Sequence, residues 1–357
     1  MPIRELGRGG RRTALVLLTV LCVGSFILLS VCVRLQGVRS RGYLRPIPRS
    51  ASILFLSKAD AGCRREEIYA AALDGGQVSR VTVSDFHHKL IGIDKTGRFI
   101  VATRVERDTD PPSGLGDEDL TDIWILDTQT GKQRRLAGPQ SRCEGDSFSP
   151  DGQWVVFQMV APGEDQSDIY KIRVDGGHLT RLTWTNNASE ADPAWSNEGD
   201  KIAFVSYSAE SGSFVLKTMR WDGSGQKTVY VCHDDVSTPL FPPGAYDPSW
   251  SPDDRWIVFE KPVHYSGENG GAGAWHIFKV HPDGTGLCDL SLNGGHTDMA
   301  EYLPSFSPDG THILFTARYG PSDPASVKTS LFLMDEEGSN LVQLTFGSFQ
   351  EKGIWVG

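Results

Sequence analysis

Acidic side chains, and one histidine, recur just ahead of six regularly spaced anchor residues. His88, Glu144, Glu190 with Asp192, Asp247, Glu301 and Glu351 stand three to five residues before Ile93, Phe148, Trp195, Trp250, Phe306 and Trp355. Segments that converge on one axis would turn these groups toward one another. Crowded carboxylates either raise one another's pKa or recruit a hard divalent cation, and calcium takes oxygen ligands at about 2.3–2.6 Å. The expected site is therefore an acidic mouth that binds a ligand, with a divalent cation as the candidate cofactor and no residue assigned to catalysis. Acidic loops of an acidic chain also serve simply as solvated surface, and both readings stay open at this point. His87-His88, His233-Asp234-Asp235 and His296-Thr297-Asp298 lie in or near the same segments. They keep a metal-dependent reaction in view as a second reading, because metal-assisted proton abstraction needs a cation beside a base.

Other catalytic signatures are missing from the sequence. It contains no Gly-x-Ser-x-Gly elbow, no Gly-x-x-x-x-Gly-Lys loop, no His-Glu-x-x-His and no EF-hand loop. The Gly-rich stretch 267–273 has neither a Lys nor a strand-to-helix context and reads as a loop. Asn187-Ala188-Ser189 fits a glycosylation acceptor, a three-residue pattern that chance often supplies.

The elements that must position the acids are repeats. The anchors fall 55, 47, 55, 56 and 49 residues apart. A turn of the Ser-Pro-Asp-Gly kind follows the anchor, most clearly at Phe148-Ser149-Pro150-Asp151-Gly152, Trp195-Ser196-Asn197-Glu198-Gly199, Trp250-Ser251-Pro252-Asp253-Asp254 and Phe306-Ser307-Pro308-Asp309-Gly310, with a weaker form at Ile93-Asp94-Lys95-Thr96-Gly97. Short β-branched and aromatic runs follow, then an Asp-Gly turn and a segment such as Arg181-Leu182-Thr183. Pro fixes a negative φ and Gly tolerates a positive one, so each copy reads as a four-stranded antiparallel meander. One such sheet cannot bury both faces, whereas several around an axis can. The expectation is an all-β, six-bladed β-propeller over residues 51–357. The C-terminal strand ending at Trp355 joins the first blade and closes the ring.

The pattern Pro-x-Trp-Ser-Pro-Asp-Gly (Pro193-Ala194-Trp195-Ser196, Pro248-Ser249-Trp250-Ser251, Pro304-Ser305-Phe306-Ser307), with Ile169-Tyr170 and Arg181-Leu182-Thr183, resembles the WD40-like repeat of TolB-type propellers. That resemblance implies a location outside the cytoplasm, in the periplasm, and the acidic mouth is expected to bind a protein, peptide or glycan without catalysis. The chain lacks the α/β domain that precedes the propeller in TolB itself. The histidines resemble those of oligogalacturonate lyases, whose propellers bind a metal, although an acidic mouth repels a polyanionic sugar.

Ahead of the repeats, residues 1–12 form a basic tail and residues 13–33 a run of 21 without a charged side chain, flanked by Arg11, Arg12 and Arg34. At 1.5 Å per residue the run spans roughly 30 Å, a bilayer's hydrocarbon thickness, and it reads as a transmembrane signal anchor with residues 34–50 as a basic linker. The expected location is the cell membrane, single-pass. Arginines on both sides leave orientation undecided by charge. Removing residues 1–50 leaves the repeats with 26 basic and 44 acidic side chains, a formal −18. Such a surface repels phosphate backbones and excludes nucleic acid as a partner. Four cysteines, Cys63, Cys143, Cys232 and Cys288, remain in the repeats, none spaced for zinc, and their pairing is open.

Overall fold

The structure, a computed structural model, describes residues 43–45, 47–48, 51–58, 66–73, 78–83, 87–107, 120–138, 141–185, 187–208, 212–232, 242–263, 275–296, 299–320, 328–346 and 350–356, with the backbone of 15–16 and 33–34. The chain divides into two compact units, residues 1–42 and 43–357. In the first, Leu15–Val16 pairs antiparallel with Val33–Arg34. The rest of the expected membrane run lies outside the described residues. Among the described residues no helix is long and apolar enough to cross a membrane.

The second unit is built of four-stranded antiparallel meanders. Group one contains Ile53–Lys58, Glu66–Ala71 and Ser79–Arg80, with Gln350–Trp355 paired to Ile53–Lys58. Group two contains His87–Ile93, Phe99–Arg107, Leu120–Asp127 and Gln133–Ala137. Group three contains Arg142–Phe148, Trp154–Val160, Ser167–Arg173 and Thr180–Arg181. A parallel bridge between Thr121 and Arg142 joins groups two and three. Group four contains Ala188–Trp195, Lys201–Ser208, Ser213–Arg220 and Lys227–Tyr230. Group five contains Tyr246–Trp250, Ile257–Pro262, Trp275–Val280 and Cys288–Asp289, and group six Ala300–Phe306, His312–Tyr319, Lys328–Asp335 and Val342–Gln343. Every anchor residue is the last residue of its strand, and these six are called anchor strands below. Of residues 108–122, 267–273 and 320–329, only Leu120–Asp122, Gly320 and Lys328–Thr329 are described, and Leu120–Asp122 and Lys328–Thr329 are strand.

The turn after each anchor is held by its own side chains. Ser149 Oγ accepts the Trp154 N–H at 2.9 Å and donates to Asp151 at 2.5 Å, while Asp151 accepts the Gln153 N–H at 3.0 Å. Ser251 with Asp253 and Ser307 with Asp309 repeat the arrangement. In the weak copy Asp94 replaces the serine and takes the Phe99 N–H at 2.6 Å. These bonds explain why Ser and Asp recur two residues apart, and they leave those Asp carboxylates committed to the backbone.

Apolar residues of neighbouring groups pack in pairs. Val156, Ile169 and Leu182 of group three meet Trp195, Ile202 and Phe204 of group four. Further clusters join two to three, four to five, five to six and one to two, and Ile53, Phe55 and Ala71 of group one meet Leu314, Leu331 and Leu344 of group six. The second glycine turn abuts the preceding group: a Cβ on Gly338 would stand 2.2 Å from the Leu290 carbonyl oxygen. Group five departs from the pattern, because its short last strand runs into a helix, Leu290–Gly294, capped by Asp289 through the Leu292 N–H and ended by Gly295 at φ 72°. Cys143, Cys232 and Cys288 are free thiols, and Cys63 lies outside the described residues.

Candidate functional site

Each anchor strand carries a register shift just before its anchor, between His88 and Leu90, Glu144 and Ser147, Ala191 and Ala194, Tyr246 and Ser249, Tyr302 and Ser305, and Glu351 and Ile354. These are β-bulges, which bend a strand and re-aim its side chains. The residue three before the anchor takes positive φ in five of the six strands: Gly145, Asp192 (50°), Asp247 (46°), Leu303 (56°) and Lys352 (50°). Asp tolerates that conformation better than Leu or Lys, so the last two positions are strained. Their N–H groups are met by the second strand of the preceding group. Thr103 accepts from Gly145 at 3.2 Å, Gln158 from Asp192 at 2.8 Å, Glu260 from Leu303, and Thr316 from Lys352 at 3.1 Å. The Asp247 N–H goes instead to the Asp192 carboxylate at 3.3 Å.

All six of these positions, Leu90, Gly145, Asp192, Asp247, Leu303 and Lys352, line one cavity of about 290 Å³. It extends along the anchor strands to Ser149–Pro150 and Ser196–Asn197, the turns after the anchors. Two lysines line it, Lys95 and Lys352. Lys352 Nζ lies 2.7 Å from Asp146 Oδ2. Burial opposes the Lys352 charge, but Asp146 and Asp247 outweigh it and raise its pKa. Burial and the Asp247 charge push the Asp192 carboxyl well above the usual carboxylate range. Asp247 is likewise raised by burial, against the pull of Lys352. Glu260, behind the Leu303 bulge, is raised by burial and by Asp247. Lys89 and Glu144 pair at 2.5 Å at the half-exposed margin.

The seven candidate residues separate by position. Glu144, Asp192 and Asp247 line the cavity. His88, Glu190 and Glu301, each five before an anchor, are buried at the junction with the preceding group. His88 holds its Nδ1 3.0 Å from the Glu66 carbonyl oxygen, and burial and Arg104 press its pKa down to about 3. Glu190 receives Thr183 and Ser206 hydroxyls at 3.3 Å, and burial lifts its pKa to about 7. Glu301 is bonded to Ser291 and His296. Glu351 is half-buried with its pKa raised by burial, and Lys58 and Arg318 oppose the rise. Sequence reasoning missed Lys352, Asp146 and Glu260. A Lys three before an anchor carries no motif, and Glu260 belongs to a different strand of the repeat.

The donors do not suit the expected divalent cation. Among the described residues no three His, Cys, Asp or Glu side chains converge to hold a metal ion, and Lys352 already stands between the cavity carboxylates. What the arrangement can do is recognise charge: carboxylates beside an ammonium, in a half-open cavity lined by Pro193, Pro248 and Pro304.

Strand meanders, bulged anchor strands and a shared cavity make this an all-β, propeller-like fold. Residues 113–259 match the family described as the TolB beta propeller domain. The chain is 31% identical over 170 residues to a TolB homolog of Chlorobium luteolum, covering 47% of this chain and 33% of that protein. It is also 31% identical over 148 residues to an uncharacterized protein of Agrobacterium fabrum, covering 39% and 46%. The chain thus spans less than half the length of these relatives. The solved TolB of Acinetobacter baumannii superposes with a TM-score of 0.62 at 17% identity, over 87% of this chain and 68% of that one, a likeness of fold alone.

Proposed function

We propose that the chain is a membrane-anchored, extracytoplasmic binding module. In this reading the six groups form one ring closed by the C-terminal strand, residues 13–33 supply a single-pass anchor, and the propeller binds a protein, peptide or glycan without chemistry of its own. The observation that carries it is the cavity to which all six anchor strands contribute, with Asp192 and Asp247 facing Lys352. Buried carboxylates raised by one another's charge favour a ligand that brings a cationic group, because it relieves the repulsion that Lys352 leaves. A partner protein presenting a Lys, an Arg or a free amino terminus fits that demand.

Recovery of partners from solubilised membranes tests the reading, with the wild-type chain and Asp192→Asn/Asp247→Asn as baits. A partner retained by the wild type and lost by the double variant supports it. Equal recovery by both baits contradicts it. The metal-enzyme alternative gains nothing from the geometry, since His88 and Glu301 are enclosed and bonded within the protein.

A further inference from the structure

The junction between groups five and six is fastened differently from those after groups one and three. In groups one and three the hydroxyl closing the last strand meets a carboxylate backed by arginine: Thr82 with Glu67 and Arg80, Thr183 with Asp168 and Arg181. In group five the helix Leu290–Gly294 follows the last strand, and the carboxylate is Glu301. Glu301 Oε2 receives the Ser291 hydroxyl, and its Oε1 lies 2.5 Å from His296 Nδ1. The other ring nitrogen, Nε2, lies 2.9 Å from the carbonyl oxygen of Gly338, in the Glu337–Gly338 turn of group six. His296 is 5% exposed and Glu301 fully enclosed.

A peptide carbonyl accepts hydrogen bonds and never donates, so Nε2 must carry a proton. With Glu301 as the carboxylate, its Oε1 accepts as well, so Nδ1 then carries a second proton, and a ring with two N–H groups is the imidazolium. The charged groups around it agree. Asp289 and Glu301 supply negative charge from the strand, helix and anchor-strand side. Asp289 is paired with His276 at 2.8 Å, and on the group-six side Lys279 neutralises Glu337 at 3.0 Å. The Phe315 ring stacks on His296 with centroids 6.2 Å apart and contributes no charge. Burial alone would lower the His296 pKa, and Glu301 with the Gly338 carbonyl reverses that and raises it.

We propose that this junction is a pH-operated latch: His296, protonated on both nitrogens, fastens the helix Leu290–Gly294 to the Glu337–Gly338 turn, and loss of its proton releases that turn. The sign follows from the raised folded-state value. The fastening is complete below the unfolded histidine value of about 6.5 and is lost as pH rises through the higher folded value. One proton is involved, so opening of the junction increases by at most about tenfold per pH unit above that point.

Two measurements on the full chain decide it. Nitrogen-15 NMR of the histidine ring at pH 7 should show both His296 nitrogens in the protonated range. A neutral ring there, with the proton on Glu301, overturns the proposal without any variant. Hydrogen exchange between pH 6 and 9, corrected for intrinsic rates, should show residues 336–345 losing protection as pH rises in the wild type. In His296→Gln the same segment should be less protected and flat with pH, with residues 221–230 of group four unchanged. The same pH dependence in both proteins overturns the latch.

Discussion

Lys352 is the residue on which the cavity's electrostatics turn. It holds a strained φ of 50° to reach the interior and is the cation that opposes Asp146, Asp192 and Asp247. Replacing it with Met leaves buried carboxylates without that partner, a change that costs about 3–5 kcal/mol for a fully buried pair and less for this half-buried one. The carboxylates then ionise less readily when folded than when unfolded. Stability should be nearly normal below about pH 4 and fall as pH rises, and urea unfolding of Lys352→Met at pH 4 and pH 8 checks this. A deficit equal at both values contradicts the assignment. Glu190 gives the opposite experiment. Its folded pKa of about 7 exceeds the ordinary 4.5, so the protonated form favours folding and stability drains away between those values as pH rises. Glu190→Gln should match the wild type near pH 4 and be more heat-stable than it at pH 8, by about 1–3 kcal/mol at most.

The turns carry compensations that no single copy reveals. Group four has Asn197 where groups three, five and six have Pro, and group five has Asp254 where groups two, three, four and six have Gly. The two departures meet: Asp254 Oδ1 accepts the Asn197 N–H and Oδ2 the Glu198 N–H, both at 2.7 Å. Proline at 197 would have no N–H to give, and glycine at 254 no carboxylate. Asn197→Pro and Asp254→Gly should each destabilise, and a double-mutant cycle should return a coupling of about 1–2 kcal/mol, within the range for residues in contact. Additive effects contradict the pairing. Glycines separate in the same way. Gly131 has φ 68° with nothing within 4 Å of an added Cβ, whereas Gly338 has φ 91° and the Leu290 carbonyl oxygen in the way. Alanine should cost about 1–2 kcal/mol at 131, the price of the conformation alone, and clearly more at 338, as thermal melts would show. The Ser-Pro-Asp-Gly spacing made the turns and meanders legible because those residues bond to their own backbone. The bulges were not legible, because Leu303 and Lys352 take positive φ under tertiary constraint and against their own preference. That is why the acids were placed by distance from the anchor, which mixes the buried position of Glu190 and Glu301 with the cavity position of Asp192 and Asp247. The helix at Leu290–Gly294 had a signal in Asp289 and Gly295, outweighed by the repeat that predicted a strand there.

For the whole molecule, the proposal of one closed ring rests on the two ends of the repeat region. Gln350–Trp355 pairs with Ile53–Lys58, Trp355 Nε1 donates to the Ser305 carbonyl oxygen at 3.3 Å, and group one packs on group six. Edge strands left unpaired would invite association, and this pairing removes two of them. The shared cavity exists only while Lys352 is carried in on that last strand. The most direct measurement is a disulfide across it, with cysteines replacing Leu56 and Glu351, which stand opposite one another in the register. Oxidation should link the two ends within one chain and stabilise it by about 2–4 kcal/mol, seen as an intramolecular cross-link by mass spectrometry and a higher melting temperature. Free thiols after oxidation, or cross-links only between chains, would contradict the closed ring and the site within it.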